Sequence, residues 1–581
     1  MPAKANKMGN PMRAARIAMW ALVFVMGAAA QAQGLAPRLV HVISDLHFGI
    51  GAPKTTFKTP VGLPCVATPI AISDMANPDW LRTEDFRWPV ALCGFLQNVG
   101  GEPQGAIIVI AGDFLELWQH PQKQCIQDAQ PNCGCTVQEM KEELLPRVLD
   151  AHKRELDMFA AFLARNPRNQ LVVVPGNHDA ALMHDEVWSV LAERIPAGPN
   201  QLVRVETGTW ISDDRQIVVE HGHQQTLPDV NAFPRWSERK VTQQCADGKE
   251  RFYAPWGEHF VAKLYTPVEF EHFPLIDNLV PDSLGVATYY AWAKQQKVAV
   301  QNIARFVYFN VFETSWRQKV EVLEVGPGGA MIDADVKACV ACIGQDELVL
   351  RDARRTPQTA AFLQSQAVPE GELRAAMAEE RRRMLGSADL PFESQRALCQ
   401  REALANVGQA GGKWKPTKAD GSLCPETLST IKAKLEDPTG SQMLAQRVNE
   451  LVKLTADNVG VYVFGHTHEA KRRMQVDLPT RSIAAFNTGA FHRQVDQAHF
   501  DRMKAAGETD VDLLKRLKHE DLKACYSVVT ITPGLVGPSA KLRQWSQRED
   551  EAAGRFIEDA CSDECSSKPA NCPMAGARSE Q

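Results

Sequence analysis

The sequence predicts an α/β protein, in which buried strands alternate with helices around a layered sheet. Arg38–Ser44, Ala106–Ala111 and Leu171–Val174 are short apolar runs rich in β-branched residues, which is typical of buried strands. Glu139–Arg165 has helical spacing and lies between the second and third of these runs. Each run ends in a polar cluster. In sheets of this class ligands bind beyond the carboxyl ends of the strands, so these clusters are candidate site residues.

Further strands are predicted later in the chain. Gln216–Glu220 predicts a fourth strand and Val461–Phe464 a fifth, and polar residues follow directly after both. Ser482–Phe486 predicts a sixth strand, and Ser527–Thr532 and Lys541–Trp545 predict the closing strands. The clusters after the first five strands are therefore expected to converge on one site.

The chain starts with the features of a secretory signal. A basic start is followed by the apolar run Ile17–Ala30 and by the small residues of Ala30-Gln31-Ala32, which predicts a signal peptide over residues 1–32. The run is shorter than the about 20 residues of a spanning helix, and an uncleaved membrane anchor is the alternative. We expect an exported protein, periplasmic or secreted.

Composition limits the class of partner. Hydrophobic residues make up 44% and charged residues 23% of the 581 residues, a balance that supports a sizeable core. Removal of residues 1–32 takes away four basic groups and no acidic one, which moves the net charge from −6 to −10. General nucleic-acid binding is not expected, because neutralising phosphates requires Lys and Arg.

All 14 cysteines follow the predicted signal. Export to an oxidising compartment favours disulfides. Zinc is the alternative for Cys339 and Cys342, although no clearly matched second pair is present. The connectivity cannot be deduced, and a Cys-rich tail occupies residues 548–581.

A long interval separates the fourth and fifth strands. Between His223 and Gly465 lie 241 residues, too many for a loop in a compact domain. We predict a mainly helical insertion domain over residues 226–459. Its candidate helices and aromatic residues are predicted to form a core of its own, and an apolar surface facing lipid or substrate is the alternative. The candidate helices are Leu284–Phe312, Glu370–Leu385 and Ser441–Leu454, and the aromatic residues are Tyr289, Tyr290, Trp292, Phe306, Tyr308, Phe309 and Phe312.

Five polar clusters carry the predicted chemistry. Each one alone is a common turn sequence, but five in this order at strand ends predict a metal site. Two metals about 3.5–4 Å apart can activate water and neutralise phosphoryl oxygens. Imidazole and carboxylate ligands suit Mn, Fe or Zn, and the lack of cysteine argues against a closed structural zinc site. The clusters are Asp45-Leu46-His47, Gly112-Asp113, Gly176-Asn177-His178-Asp179, His221-Gly222-His223 and Gly465-His466-Thr467-His468.

This pattern resembles the calcineurin-like metallophosphoesterase superfamily, whose signature runs D-x-H, G-D, G-N-H-D/E, H and G-H-x-H. The resemblance covers residues 38–225 and about 460–547. It implies a four-layer β-sandwich flanked by helices, with a metallophosphoesterase domain split into residues 33–225 and 460–547 by the insertion.

The resemblance also implies a ligand set and a mechanism. Two divalent or trivalent metal ions (Mn, Fe or Zn) would hold a bridging hydroxide that attacks the phosphoester. The first metal would take Asp45, His47 and His468, the second would take Asn177, His221 and His466, and Asp113 would bridge them.

Three further residues are given roles by the same resemblance. His178 would stabilise the transition state or protonate the leaving oxygen. Glu116 matches a carboxylate that orients this histidine in some relatives, and a surface residue of a turn is the alternative. His221 is favoured over His223 as the ligand, because a strand followed by His-Gly matches the family, and His223 would then support a ligand or face the substrate.

A finer resemblance concerns the substrate. Ser44–Gly49, Gly112–Trp118 and Gly489–His492 look like the UDP-diacylglucosamine pyrophosphatase branch. This chain departs from that branch in its export, in His178 where arginine is common, and in its long insertion. The reaction class alone is therefore carried over, namely hydrolysis of a phosphomonoester or phosphodiester. The alternatives are a phospholipid or nucleotide-sugar pyrophosphatase that contacts a membrane surface through the insertion, and a non-catalytic binding module on the same fold.

Overall fold

The part of the chain that the structure describes covers most of the predicted phosphoesterase-like segments. The predicted signal peptide, the candidate helix Ser441–Leu454 and the residues beyond position 558 lie outside it. Within the described part, no helix is both long and apolar enough to cross a bilayer. This computed structural model describes, apart from short gaps and a few isolated positions, residues 37–50, 84–119, 132–224, 231–280, 301–308, 333–407, 416–424, 458–547 and 551–558.

The described residues form a mixed α/β structure with several sheets. The strands are β1 Leu39–Ile43, β2 Ala106–Ala111, β3 Cys133–Thr136, β4 Gln170–Val174, β5 Leu202–Arg204, β6 Thr209–Ile211, β7 Ile217–Glu220, β8 Thr242–Gln244, β9 Glu250–Tyr253, β10 Leu279–Val280, β11 Val461–Phe464, β12 Lys471–Asp477, β13 Ser482–Asn487, β14 Val495–Asp496, β15 Cys525–Thr532, β16 Ser539–Ser546 and β17 Arg555–Ile557.

The helices lie mostly between these strands. The α-helices are α1 Pro89–Gly100, α2 Val137–Glu139, α3 Leu145–Ala151, α4 Lys153–Arg165, α5 Asp185–Arg194, α6 Trp256–Phe260, α7 Thr266–Glu271, α8 Asp333–Ile343, α9 Gln345–Ala353, α10 Pro357–Gln366, α11 Glu370–Leu385, α12 Phe392–Val407, α13 Gln497–Met503 and α14 Asp510–Arg516. Met140–Leu144 and Val261–Tyr265 are π-helical turns that join α2 to α3 and α6 to α7.

Two sheets form the centre of the described structure. The larger has the order β17-β16-β15-β1-β2-β4-β5, and the smaller has the order β12-β13-β11-β7-β6. Neighbours among β1, β2, β4 and β5 are parallel, as are those among β7, β11 and β13. All the strands predicted from the sequence are present, with ends within two residues of the predicted ones. The carboxyl ends of the parallel strands therefore share an edge in each sheet.

The two sheets face each other across an apolar layer. Val40 and Val42 of β1 belong to the same buried cluster as Val461 and Val463 of β11. Alternate residues point to opposite faces of a strand, and the other face of the larger sheet packs against helices. Both faces of β2 are covered, since all of Ala106–Ala111 is buried. This is the continuous apolar pattern expected of parallel strands covered on both sides.

The region predicted as an insertion begins with strands. β8 and β9 pair with β3, and β10 pairs with β14, so its first part is hydrogen-bonded to strands outside residues 226–459. Helices α8 to α12 follow, and the predicted helix Glu370–Leu385 is present with the same bounds. Phe306 and Tyr308 are fully buried, in a cluster continuous with the helices that cover the larger sheet.

Four disulfides connect described cysteines. Cys133–Cys245 ties β3 to the loop between β8 and β9, and Cys125–Cys135 closes the loop before β3. Cys339–Cys399 and Cys342–Cys424 lie within the helical region. Cys339 and Cys342 thus have different disulfide partners, which removes the zinc alternative at this pair. Disulfides suit an exported protein.

A buried histidine supports the loop that follows β1. The His152 ring stacks on Phe48 at 4.4 Å between centroids. Its Nε2 lies 3.1 Å from the Glu84 carboxylate and its Nδ1 lies 3.4 Å from that of Glu155. Glu84 also accepts a hydrogen bond of 3.3 Å from the backbone N–H of Gly49. Burial alone would lower the pKa of His152, but the two carboxylates outweigh it and raise the pKa to about 10.

His152→Gln should lower stability in a pH-dependent way. A histidine with a raised folded-state pKa contributes its full stabilisation below the unfolded value of about 6.5, and loses it as the pH rises through about 10. Removing one partner of a buried ion pair costs about 3 kcal/mol. The thermal midpoints of wild type and variant should therefore differ most at pH 6 and converge towards pH 10. A gap that is constant across this range would contradict a charged His152.

Candidate metal centre

The loops after β1 and β2 continue the pairing of their strands and bring the first two clusters together. The backbone N–H of Asp45 donates to the carbonyl of Gly112 at 3.1 Å, and that of His47 donates to Asp113 at 3.0 Å. The larger sheet also reaches the smaller one here, since the His466 N–H donates to Asp45 Oδ2 at 3.2 Å. Side chains from both sheets therefore meet at this edge.

The backbone at the clusters is unusual. Five of the predicted ligands have positive φ angles, although none is a glycine. A non-glycine residue in this region costs about 1–3 kcal/mol and is held there only by its surroundings. Such strain is concentrated at functional sites, which marks these loops independently of their side chains. The residues are Asp45 (52°), His47 (48°), Asp113 (48°), His466 (78°) and His468 (56°).

Two glycines of the clusters are required by close approach. A Cβ on Gly112 would lie 2.2 Å from Nδ1 of His221, and the φ of Gly112 is +87°. A Cβ on Gly176 would lie 2.1 Å from Oδ1 of Asp113. The glycines in these motifs therefore let imidazole and carboxylate groups pack directly against the backbone.

One group of potential ligands comprises Asp45, His47 and His468, whose ligand atoms all lie within 4.8 Å of one another. His47 Nε2 is 3.1 Å from His468 Nε2, and Asp45 Oδ1 is 3.4 Å from the same atom of His468. His47 Nδ1 contacts a carboxylate oxygen of Glu116 at 3.1 Å, which places its proton on Nδ1 and leaves the lone pair on Nε2. Asp45 Oδ1 is buried and faces this His468 nitrogen.

A second group comprises Asp113, His221 and His466, with Asn177 beside it. His221 Nδ1 donates to the carbonyl of Ala111 at 2.9 Å, so in the neutral form of the ring, which metal binding requires, the lone pair is on Nε2. That nitrogen faces Asn177 Oδ1 at 2.8 Å, Asp113 Oδ2 at 3.0 Å and His466 Nδ1 at 3.2 Å.

Both groups have the donor chemistry of metal sites. When the imidazole rings are neutral, the lone pairs of the potential ligand atoms face one another in each group. The outer ring nitrogen of one histidine in each group is fixed by a carbonyl or carboxylate, which is the arrangement that orients metal-ligating imidazoles. A proton or a cation must lie between acceptors at such distances. Asp113 Oδ2 is 3.0 Å from His221 and 3.8 Å from His47, so this carboxylate stands between the groups. The residues present therefore fit metal ions as ligands, and Asp113 lies between the two groups.

His178 lies beside the second group but outside it. Its ring nitrogen Nδ1 contacts Glu116 Oε2, and its backbone N–H donates to Asp113 Oδ1 at 2.9 Å. The ring also stacks on Trp118, with centroids 3.9 Å apart and planes 26° apart. Glu116 is 2% exposed, so it is not the surface turn residue of the alternative interpretation. Carboxylate and indole together fix the imidazole in one orientation.

Electrostatics favour charged forms at the centre. Burial alone would raise the pKa of Asp45, but the hydrogen bond and charge of His468 outweigh it and lower the pKa to about 2. The Glu116 pKa is likewise lowered to about 2 against burial, mainly by His178. Burial would lower the pKa of His178, yet the charges of Glu116 and Asp113 raise it to about 9. The same negative field that holds protons here would favour metal cations.

Asp179 connects two of the clusters. Its carboxylate accepts hydrogen bonds from the backbone N–H groups of Gly176 at 2.6 Å, Phe114 at 2.9 Å and Leu115 at 3.3 Å. These bonds fix the loop after β2 against the loop after β4. His223 is buried beside the second group, where its ring lies edge-on to Trp236 at 4.4 Å.

Sequence reasoning missed two residues of the site. Trp118 belongs to the segment Gly112–Trp118, for which no role of the tryptophan was predicted, although its ring stacks on His178. His492 lines the same pocket as the two groups and lies 5.4 Å from the ring of His468. Burial and the charges of His468 and His47 lower its pKa to about 3, so it is neutral. The motif Gly489–His492 was the available signal for it.

The centre opens into a pocket, and the space in and above it amounts to about 730 Å³, which includes open solvent. His47, Asp113, His178, His466 and His468 line one part of it, so the groups are accessible from the pocket.

No family model, curated protein or solved structure matches this chain.

Gly176→Ala should disrupt metal binding by displacing Asp113. The added methyl group meets the carboxylate oxygen at 2.1 Å and cannot be accommodated without moving it. The metal content per chain should fall at least tenfold, measured by elemental analysis after equilibration with Mn or Zn. Gly371→Ala is the matched control, because a Cβ there meets nothing within 4 Å. Full metal content in Gly176→Ala would contradict the position assigned to Asp113.

Proposed function

We propose that this protein is an exported, metal-dependent hydrolase of phosphoester bonds that belongs to the calcineurin-like metallophosphoesterase type. The observation that carries the proposal is the convergence of six side chains around the buried Asp113 carboxylate, seven in all from five loops, with an oriented histidine at the rim. The oxygen and imidazole donors suit Mn, Fe or Zn. The opposed sheets, with helices on the outer face of the larger one, support an α/β sandwich of that type.

The seven side chains would hold two metals, Asp45, His47 and His468 on one side and Asn177, His221 and His466 on the other, with Asp113 between. Metals bound there would supply an activated water molecule and positive charge for the phosphoryl oxygens. Their removal should abolish activity. The remaining groups of the pocket then decide how the leaving oxygen departs.

His178 is suited to protonate that oxygen. Its Nδ1 is held by Glu116 and its ring by Trp118, so Nε2 is left to face the pocket. The negative groups beside it keep it protonated near neutral pH. When the bond between phosphorus and the leaving oxygen breaks, the electron pair remains on that oxygen, which takes the proton from His178.

Metal dependence tests the proposal directly. Chelation should abolish hydrolysis of p-nitrophenyl phosphate or bis(p-nitrophenyl) phosphate, and Mn, Zn or Fe should restore it. Asp113→Asn should reduce hydrolysis below detection, because the bridging charge is lost. Asp501→Asn, which changes the same group at an exposed position of α13, is the control and should retain full activity. An active, metal-replete Asp113→Asn protein would rule out a bridging carboxylate.

The role of His178 depends on the leaving group. His178→Ala should lower kcat/KM for methyl phosphate by about 100- to 1000-fold. The loss for p-nitrophenyl phosphate should be much smaller, because p-nitrophenolate leaves without a proton. Both metals should remain bound, since His178 is not a ligand. An equal loss on both substrates, or a missing metal in the variant, would refute general acid catalysis by this residue.

A further inference from the structure

The imidazole of His178 has open space on more than one side. His178 and Trp118 both line the pocket of the centre, and both also line a second, smaller pocket. The stacked pair therefore lies between two spaces. The contact of Nδ1 with Glu116 anchors the imidazole at one atom, and a ring held at one atom can still pivot about that contact. The plane of the imidazole is therefore set by its other neighbours.

The indole of Trp118 provides the flat contact. Its centroid lies 3.9 Å from that of the His178 ring and the planes are 26° apart, so the two rings overlap face to face. The contact with His47 is of another kind, because the centroids are 4.6 Å apart and the planes meet at 88°. An edge contact leaves the imidazole able to tilt, whereas an overlapping ring face opposes tilting. Of these two rings, the indole therefore determines the plane of His178.

The backbone of Trp118 supports the same pair of side chains. Its N–H donates to Oε1 of Glu116 at 2.7 Å, while Oε2 of this carboxylate contacts Nδ1 of His178. Glu116 cannot rotate its carboxylate without losing one of these contacts. Trp118 thus holds the imidazole directly through its ring and indirectly through Glu116.

The indole is itself supported from the side of α6. A Cβ on Gly257 would lie 3.1 Å from the Trp118 ring, so the backbone of α6 packs directly against the indole. Gly257 belongs to the region predicted as an insertion, whereas Trp118 belongs to the segment that follows β2. Two distant parts of the chain therefore meet at this tryptophan.

Packing of the core does not account for Trp118. The residue is only 4% exposed, yet among the described residues it is not a member of the apolar clusters that form the core. Its neighbour Leu117, in contrast, belongs to the largest of these clusters. A buried tryptophan contributes a large ring area, and here that ring lies against an imidazole at the rim of the centre. Its position is therefore explained by the contact with His178.

We propose that Trp118 is a positioning residue for His178. Its indole, supported by Gly257, holds the imidazole in the orientation from which Nε2 gives its proton to the leaving oxygen. This inference rests on the proposed function. The proton passes from His178 to the oxygen, which keeps the electron pair of its broken bond to phosphorus, and Trp118 exchanges no atom. A displacement of about 1 Å in an oriented group can cost about 100-fold in rate.

Trp118→Leu should slow the reaction that needs the proton. For methyl phosphate, kcat should fall about 10- to 100-fold, while for p-nitrophenyl phosphate, whose leaving group needs no proton, it should stay within about threefold of wild type. Metal content should be unchanged, since Trp118 is no ligand. Trp118→Phe, which keeps a flat ring, should restore most of the rate on methyl phosphate. Trp188→Leu is the matched control, because this tryptophan of α5 lines neither pocket.

A double variant distinguishes positioning from a structural role. In His178→Ala the acid is absent, so the addition of Trp118→Leu should cause no further loss of rate on methyl phosphate. The effects of the two substitutions should therefore not add, as expected for residues that act through one another. A tryptophan that only stabilised the fold would lower the rate by the same factor with and without His178.

The outcomes separate this inference from the proposed function. If the metal-loaded wild type cleaves neither ester, the hydrolase assignment fails and the role of Trp118 fails with it. If wild type is active but Trp118→Leu keeps its full rate, loses the same factor on both esters, is not rescued by Trp118→Phe, or adds to His178→Ala, the hydrolase stands and the positioning role is overturned. Should the thermal midpoint show that Trp118→Leu folds poorly, Trp118→Met takes its place with the same expectation, because methionine fills irregular space without a flat ring.

Discussion

The buried carboxylate of Asp113 is the charge on which the arrangement of the centre depends. An isolated ionised group at 1% exposure is too costly to maintain, so it requires positive partners in contact. Burial would raise its pKa, but His221 and His178 hold the pKa well below the usual range of an aspartate. The positive φ angles at five positions and the close approach at Gly112 and Gly176 accompany this arrangement of polar groups around one carboxylate.

Much of this arrangement could be predicted from the sequence. Strands such as β2 and β11 have the predicted bounds because their apolar runs end sharply at Gly-Asp and Gly-His. Parallel strands align their carboxyl ends, so a polar cluster after each strand is enough to predict that the clusters meet. The position of Glu116 could not be decided in this way. Its burial depends on contacts with His47 and His178, which no spacing rule contains.

The boundary of the insertion could not be predicted from the sequence, for a related reason. A long interval without catalytic motifs predicts a separate domain, but β10 pairs with β14, more than two hundred residues later in the chain. Short edge pairings of this kind have little signal in hydrophobic periodicity. The disulfide pairing could not be predicted either, because Cys339 and Cys342 are close in sequence and yet pair with Cys399 and Cys424. Such connectivity is set by the packing of helices and not by spacing.

The residues of the centre can be identified from sequence motifs, whereas the apolar residues of the helical segment beside the pocket cannot. Metal ligands are restricted to a few residue types at fixed strand ends, so a motif can identify them. Apolar packing positions accept any residue of suitable size, and Phe260 and Tyr265 stand in no motif. They belong to a helical segment that packs against Trp118, whose ring stacks on His178. A change in that segment therefore acts on the position of His178 without altering the side chains of the two groups.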